Sequence, residues 1–141
     1  MATLTTQIFE ILTLNGDDVG SAVTNTINGI NYLDNRSLSI PSGSVTTIFN
    51  MDSLPGAGTF VTSSVKYVRV TNTTPSNIPI KLIISSSTEA MSYLITTGSS
   101  YMLSTSKMTG SVSGLDFSDI KSVKVEPSGS SGSIEYYIAT T

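Results

Sequence analysis

The chain has 141 residues, 12% of them charged, a net charge of −3, and no cysteine, histidine or tryptophan. That length buries a core without disulfides or metals, and the missing cysteine excludes a covalent framework and any thiolate metal site. Seven Lys/Arg against ten Asp/Glu leave no basic face to displace counterions from nucleic acid, and no stretch approaches the roughly 20 apolar residues of a membrane-spanning helix.

Charge is replaced by hydroxyls: roughly a third of the residues are Ser or Thr, against 38% hydrophobic. Such small side chains tolerate extended backbone, and the β-branched content separates the chain from a disordered one. Met1-Ala2-Thr3-Leu4-Thr5 has neither a basic region nor an apolar stretch of signal-peptide length, so synthesis in the cytoplasm without classical export is expected. The triplets Asn35-Arg36-Ser37 and Asn72-Thr73-Thr74 are then read as turn residues rather than glycosylation acceptors.

Period-two patterning runs through the chain. Gln7–Leu14 places Ile8, Leu12 and Leu14 on one face, with Glu10 the exception, and Phe9 and Ile11 on the other, which describes a strand apolar on both sides. Asn15-Gly16 supplies the positive φ angles of a tight hairpin. Val19, Val23 and Ile27 fit a helical stripe by spacing, but the surrounding Thr and Asn favour a strand closed by Asn28-Gly29. Ser37–Ile40 stops at Pro41-Ser42-Gly43, Val45–Met51 follows, and Leu54–Phe60 reads as a loop.

Val65–Val70 and Ile78–Ile84 alternate most clearly, and the surface turn between them predicts a hairpin. Met91–Ile95 and Ser100–Leu103 flank Gly98. One helical turn is expected around Leu115–Asp119. Ile120–Val125 and Ile134–Ile138 close the chain, with Pro127–Gly132 as a long hairpin tip between them.

About eight to ten short antiparallel strands in one domain over residues 1–141 predict an all-β sandwich, first among the options a jelly roll. Residues 1–14 are either an extended N-terminal arm that adds to a neighbour's sheet edge or an internal strand of the sandwich.

Chemistry is sparse. Without His or Cys the commonest general base, thiol nucleophile and zinc ligands are missing. Ser104-Thr105-Ser106-Lys107 is a loose Ser-x-x-Lys, a coincidence expected in so serine-rich a chain. Asp17-Asp18 and Asp116/Asp119 do not fit a calcium loop and read as turn aspartates. Gly56-Ala57-Gly58 lacks the Gly-Lys-Ser/Thr of a phosphate cradle. The tyrosines fall mostly inside strands, rings in the core and hydroxyls at the rim. No enzyme, catalytic residue, cofactor or metal is expected.

The middle of the chain carries a broader pattern: Ile40-Pro41-Ser42-Gly43-Ser44, Thr47-Ile48-Phe49, Gly56-Ala57-Gly58-Thr59-Phe60, Lys66–Asn72, Ile80–Ile84 and Gly98–Leu103. Over about residues 40–104 this resembles the small β-sandwich structural proteins of tailed bacteriophages, above all capsid decoration (cement) proteins. The resemblance implies a virion location, a major capsid protein or other virion proteins as partners, and a homo-oligomer, with no nucleic acid or membrane bound. It assigns no site residue. A tail, baseplate or head–tail component is the alternative within that class, and a receptor- or carbohydrate-binding β-sandwich module using the tyrosines is the alternative outside it.

Overall fold

The computed structural model describes residues 2–51, 59–60, 65–85, 90–104, 111–112, 115–116 and 121–140. The strands in chain order are β1 (Ala2–Glu10), β2 (Thr13–Leu14), β3 (Asp17–Asp18), β4 (Ser21–Ile30), β5 (Tyr32–Ile40), β6 (Thr46–Met51), β7 (Thr59–Phe60) and β8 (Val65–Asn72). They continue with β9 (Ile80–Ser85), β10 (Ala90–Ile95), β11 (Ser100–Ser104), β12 (Ser111–Val112), β13 (Leu115–Asp116), β14 (Ser122–Pro127) and β15 (Gly132–Thr140). The chain is all-β, as its alternation predicts.

Two sheets make the body. One has the order β10-β9-β14-β6-β7, the other β11-β8-β15-β5. Taking β5, β6, β8, β9, β10, β11, β14 and β15 as strands one to eight, the sheets read 1-8-3-6 and 2-7-4-5. That interleaving is a jelly roll, the product of two Greek keys wound together. All pairings among these eight strands are antiparallel, and β7 adds in parallel beside β6.

Alternation explains the core. Ile80, Leu82 and Ile84 of β9, Val123 and Val125 of β14, Val68 and Val70 of β8 and Ile134, Tyr136 and Ile138 of β15 all turn inward, while Lys81, Lys124 and Glu135 turn out. Each fully buried Val, Leu or Ile contributes roughly 1.5–3 kcal/mol of transfer free energy. One departure from alternation has a local cause. Val123 pairs with Phe49 but Lys124 pairs with Thr47, so Ile48 is an extra residue on β6. This bulge turns the adjacent Ile48 and Phe49 both into the core.

Consecutive strands of the eight change sheet at every step except β9 to β10. The expected hairpin between Val65–Val70 and Ile78–Ile84 is therefore an arch from one sheet to the other. Its cause is Asn72, fully buried, whose amide donates to the carbonyls of Ile78 (2.8 Å) and Ile95 (2.9 Å) and accepts from the Thr74 N–H (3.0 Å). Those bonds satisfy the Thr74 N–H and the Ile78 carbonyl within the connection and tie it to Ile95 at the end of β10. Likewise Pro127–Gly132 is no hairpin tip but an arch between β14 and β15, which lie in different sheets. It is tied by the Ser42 hydroxyl donating to the Gly129 carbonyl.

Three smaller expectations are corrected too. Asn35-Arg36-Ser37 sits in the middle of β5, and Asn72 ends β8, so only Thr73-Thr74 of the second triplet lies in a turn. Thr59-Phe60, read as loop, forms β7, while residues 54–58 lie outside the described residues. Leu115-Asp116, read as the start of a helical turn, pairs with Ser111-Val112 as β13, and residues 117–119 lie outside the described residues.

Candidate functional site: a hairpin arm

The N-terminal strand is neither internal to the sandwich nor a lone arm over residues 1–14. Among the described residues β1 pairs only with β4, and β2 only with β3, so that residues 2–30 form one hairpin outside both main sheets. From Thr3 opposite Asn28 to Leu14 opposite Asp17 the paired residue numbers sum to 31 throughout. Eleven residue steps give an arm of about 35 Å. Its tip is the expected two-residue turn: Asn15 (φ 53°) and Gly16 (φ 90°) both take positive φ, whose twist matches the strands. At the root the register shifts between Ala2 and Thr3 because Gly29 (φ 79°) is an extra residue. That bulge returns Ile30 to the face that holds Ile27.

This face binds the body. Leu4, Ile27 and Ile30 pack on Tyr67, Ala139 and Tyr137, forming a second small core on the outer side of the four-stranded sheet. Tyr67 and Tyr137 meet edge to face at 5.9 Å. Asn25 Nδ2 donates to Ser104 Oγ (2.9 Å), so the root crosses the sheet from β15 over β8 to β11. A groove of about 330 Å³ between arm and sheet is lined by Leu4–Ile8, Tyr67, Arg69, Met102 and Tyr137. There the Arg69 guanidinium pairs with Glu135 and lies 6.0 Å from the Tyr137 ring centre.

The same face continues past the body. Beyond the Thr6/Asn25 pair come Ile8 with Val23, then Glu10 with Ser21, then Leu12 opposite Val19, whose N–H donates to the Leu12 carbonyl. Ile8, Val23, Leu12, Val19 and Leu14 are all exposed, as are Phe9 (66%) and Ile11 (86%) on the opposite face. Single exposed apolar residues are ordinary, but seven large ones on one two-stranded ribbon are not.

The arm also carries the charge of the molecule. Glu10, Asp17 and Asp18 are its only ionisable side chains, with no Lys or Arg up to Arg36, so the remaining seven acids balance seven bases. All three carboxylates lie in the distal half. Glu10 accepts from the Ser21 hydroxyl (2.7 Å), and Asp18 accepts from the Gly20 N–H (2.9 Å) as a turn aspartate.

The other sequence candidates are scattered. Ser104 accepts from Asn25 at the arm root, while Lys107, Asp119 and Gly56–Gly58 lie outside the described residues. Tyr136 keeps its ring buried and its hydroxyl on Asp34 Oδ2 (3.0 Å); burial first, and that bond second, push it up to about 12. Tyr93 and Tyr101 stack at 5.0 Å where the two sheets open, and burial, then Tyr93, pushes Tyr101 up to about 12. Tyr32 departs from the ring-in-core expectation by standing 65% exposed. Among the described residues no group of three or more acidic side chains gathers as a metal site, and no helix is long and apolar enough to cross a membrane.

What sequence reading missed was the second strand of the arm as part of the same exposed element. The available signal was the constant sum of 31 about Asn15-Gly16, which pairs apolar with apolar at Leu4/Ile27, Ile8/Val23 and Leu12/Val19. Comparison with protein-family models, with curated proteins and with solved structures found no match to this chain.

Proposed function

We propose that this chain is a non-catalytic structural protein of a virus particle, a decoration protein that coats a tailed-phage head and docks through its hairpin arm. The observation that carries the reading is the apolar stripe of the arm, clamped to its own body at Leu4 and Ile27 and continuing exposed through Ile8, Val23, Leu12 and Val19. A ribbon of this kind suits a groove on an ordered neighbour, and its three carboxylates call for a basic rim on that neighbour. Many copies at fixed spacing make each modest contact sufficient.

The test is binding to particles stripped of this polypeptide. The parent chain should saturate them at a copy number comparable with the major shell protein, as read by quantitative mass spectrometry. The triple variant Ile11→Ser, Leu12→Ser, Leu14→Ser should keep its fold and lose the binding. Undiminished binding by the triple variant sinks the arm as docking element. A copy number of only a small fraction of the shell protein moves the chain to the tail or a head–tail joint, and absence from particles ends the virion reading.

A further inference from the structure

We propose that two copies of this chain pair edge to edge through β5 across a two-fold axis at Asn35, joining their four-stranded sheets into one. This contact is separate from the arm and holds whether or not the arm docks on a shell.

Among the described residues β5 is bonded on one side only, to β15, and over Tyr32–Ile40 that pairing has no register shift. The strand holds no Lys and no Pro. A nine-residue edge without bulge, Pro or Lys lacks three of the devices that keep sheet edges apart. It has a fourth, inward-pointing charge, in Asp34 and Arg36 opposite Ile138 and Tyr136 of β15, and a partner edge is admitted only in a register that pairs those charges with opposite ones. Their arrangement decides the register. Antiparallel strands related by a two-fold axis normal to the sheet pair residues whose numbers have a constant even sum. A sum of 68 sets Asp34 against its own copy, and a sum of 72 does the same for Arg36. With a sum of 70, Asp34 of each copy faces Arg36 of the other, and Asn35 meets itself on the axis.

Three further features fit that register. Within one chain Arg36 Nε already donates to Asp34 Oδ1 at 2.7 Å, so both groups share one face of the strand, Asp34 being held from the β15 side by the Tyr136 hydroxyl and Arg36 standing exposed. Tyr32 and Leu33, 65% and 56% exposed at the start of the edge, come opposite the partner's half-buried Leu38 and its exposed Ser37. The arm leaves the edge at Ile30 and lies over β15, β8 and β11, so it keeps the acidic tips away from the contact. The bodies that meet carry no net charge, with seven acids against seven bases. The interface is isologous and closes on itself, which gives a dimer and not a fibre.

The absence of cysteine makes the test direct. Asn35→Cys introduces a single thiol at an exposed position, and across the axis two such thiols stand at the separation of directly paired residues, within disulfide reach. Ser39→Cys sits on the same outer face of β5, but its partner would be residue 31, so the two thiols are about 26 Å apart. Mild oxidation should give covalent dimer from Asn35→Cys at least about tenfold faster than from Ser39→Cys. In sedimentation equilibrium on the cysteine-free chain, Arg36→Glu should raise the dimer dissociation constant by about tenfold through two like-charge pairs, while Arg36→Lys stays near the parent. Equal cross-linking of the two cysteine variants, a parent chain that stays monomeric, or an unchanged dissociation constant for Arg36→Glu would each overturn the proposal.

Discussion

Phe9 and Phe49 mark two regions of the molecule that use the same strand alternation to opposite ends. Phe49 is fully buried between the sheets, brought there by the bulge that turns two successive residues of β6 inward, whereas Phe9 stands 66% exposed on the arm. In the body each apolar row has another row across from it. In the arm only the root has one, supplied by the outer face of the four-stranded sheet. The lesson is that apolar alternation specifies which side chains share a face but not whether anything covers it. Charge divides along the same line, with the body balanced and the arm holding the whole excess of −3.

The comparison is broken most severely in the core. Phe49→Ala should cost about 3–5 kcal/mol of folding stability, by transfer free energy and the cavity left behind, read as the free energy of denaturant unfolding. Next comes the arch bond. Asn72→Ala strips a buried and a part-buried carbonyl of their donor and the Thr74 N–H of its acceptor, and a loss of about 2–4 kcal/mol is expected in the same measurement. A loss under about 0.5 kcal/mol would falsify the role given to that amide.

Ile27→Ala attacks the seam between the regions. The arm root should open locally by about 1–3 kcal/mol, seen as faster amide exchange across residues 2–30 while the β8 and β15 amides stay protected. Exchange that rises equally in both regions would show that arm and body unfold as one unit.

Alkali sharpens the contrast by acting on the body. Tyr101 and Tyr136 are pushed up to about 12 from the ordinary 10.0, in both cases mainly by burial. Their folded values lie above the unfolded one, so the stability linked to the protonated hydroxyls is complete below about pH 10 and is lost as pH rises through about 12. Denaturation midpoints followed from pH 9 to 12 should fall across that window, and a flat profile there would remove the linkage. The smallest effect on folding is expected for Phe9→Ala, within about 0.5 kcal/mol of the parent, although the same change should weaken docking to stripped particles.

Much of this was legible beforehand. Asn15-Gly16 announces the arm's turn, Ile80–Ile84 and Val65–Val70 announce two core strands, and the place of Tyr136 inside a strand predicts its ring in the core. Partner choice was not legible. Val65–Val70 and Ile78–Ile84 look like a hairpin because two alternating runs joined by a turn have the same local pattern whether they pair or arch. What separates the cases is the buried amide of Asn72, a residue that in sequence reads as ordinary turn punctuation. The fate of Gln7–Leu14 was illegible for a similar reason: apolar residues on both faces suit an interior strand and an exposed ribbon alike. Asp34 and Arg36 carry no signal in the sequence by themselves; they gain one from the place of β5 at the end of its sheet among the described residues.

The unbroken register of the arm has a consequence for how its reach changes over generations. Because every pair from Thr3/Asn28 to Leu14/Asp17 obeys one sum, a balanced insertion of two residues in each strand lengthens the ribbon by about 7 Å and leaves the turn, the root and the facing of every side chain as they were. One residue per strand instead exchanges the two faces of everything distal to it. The hairpin thus behaves as a ruler graduated in two-residue steps, adjustable in reach while the jelly roll that carries it stays the same.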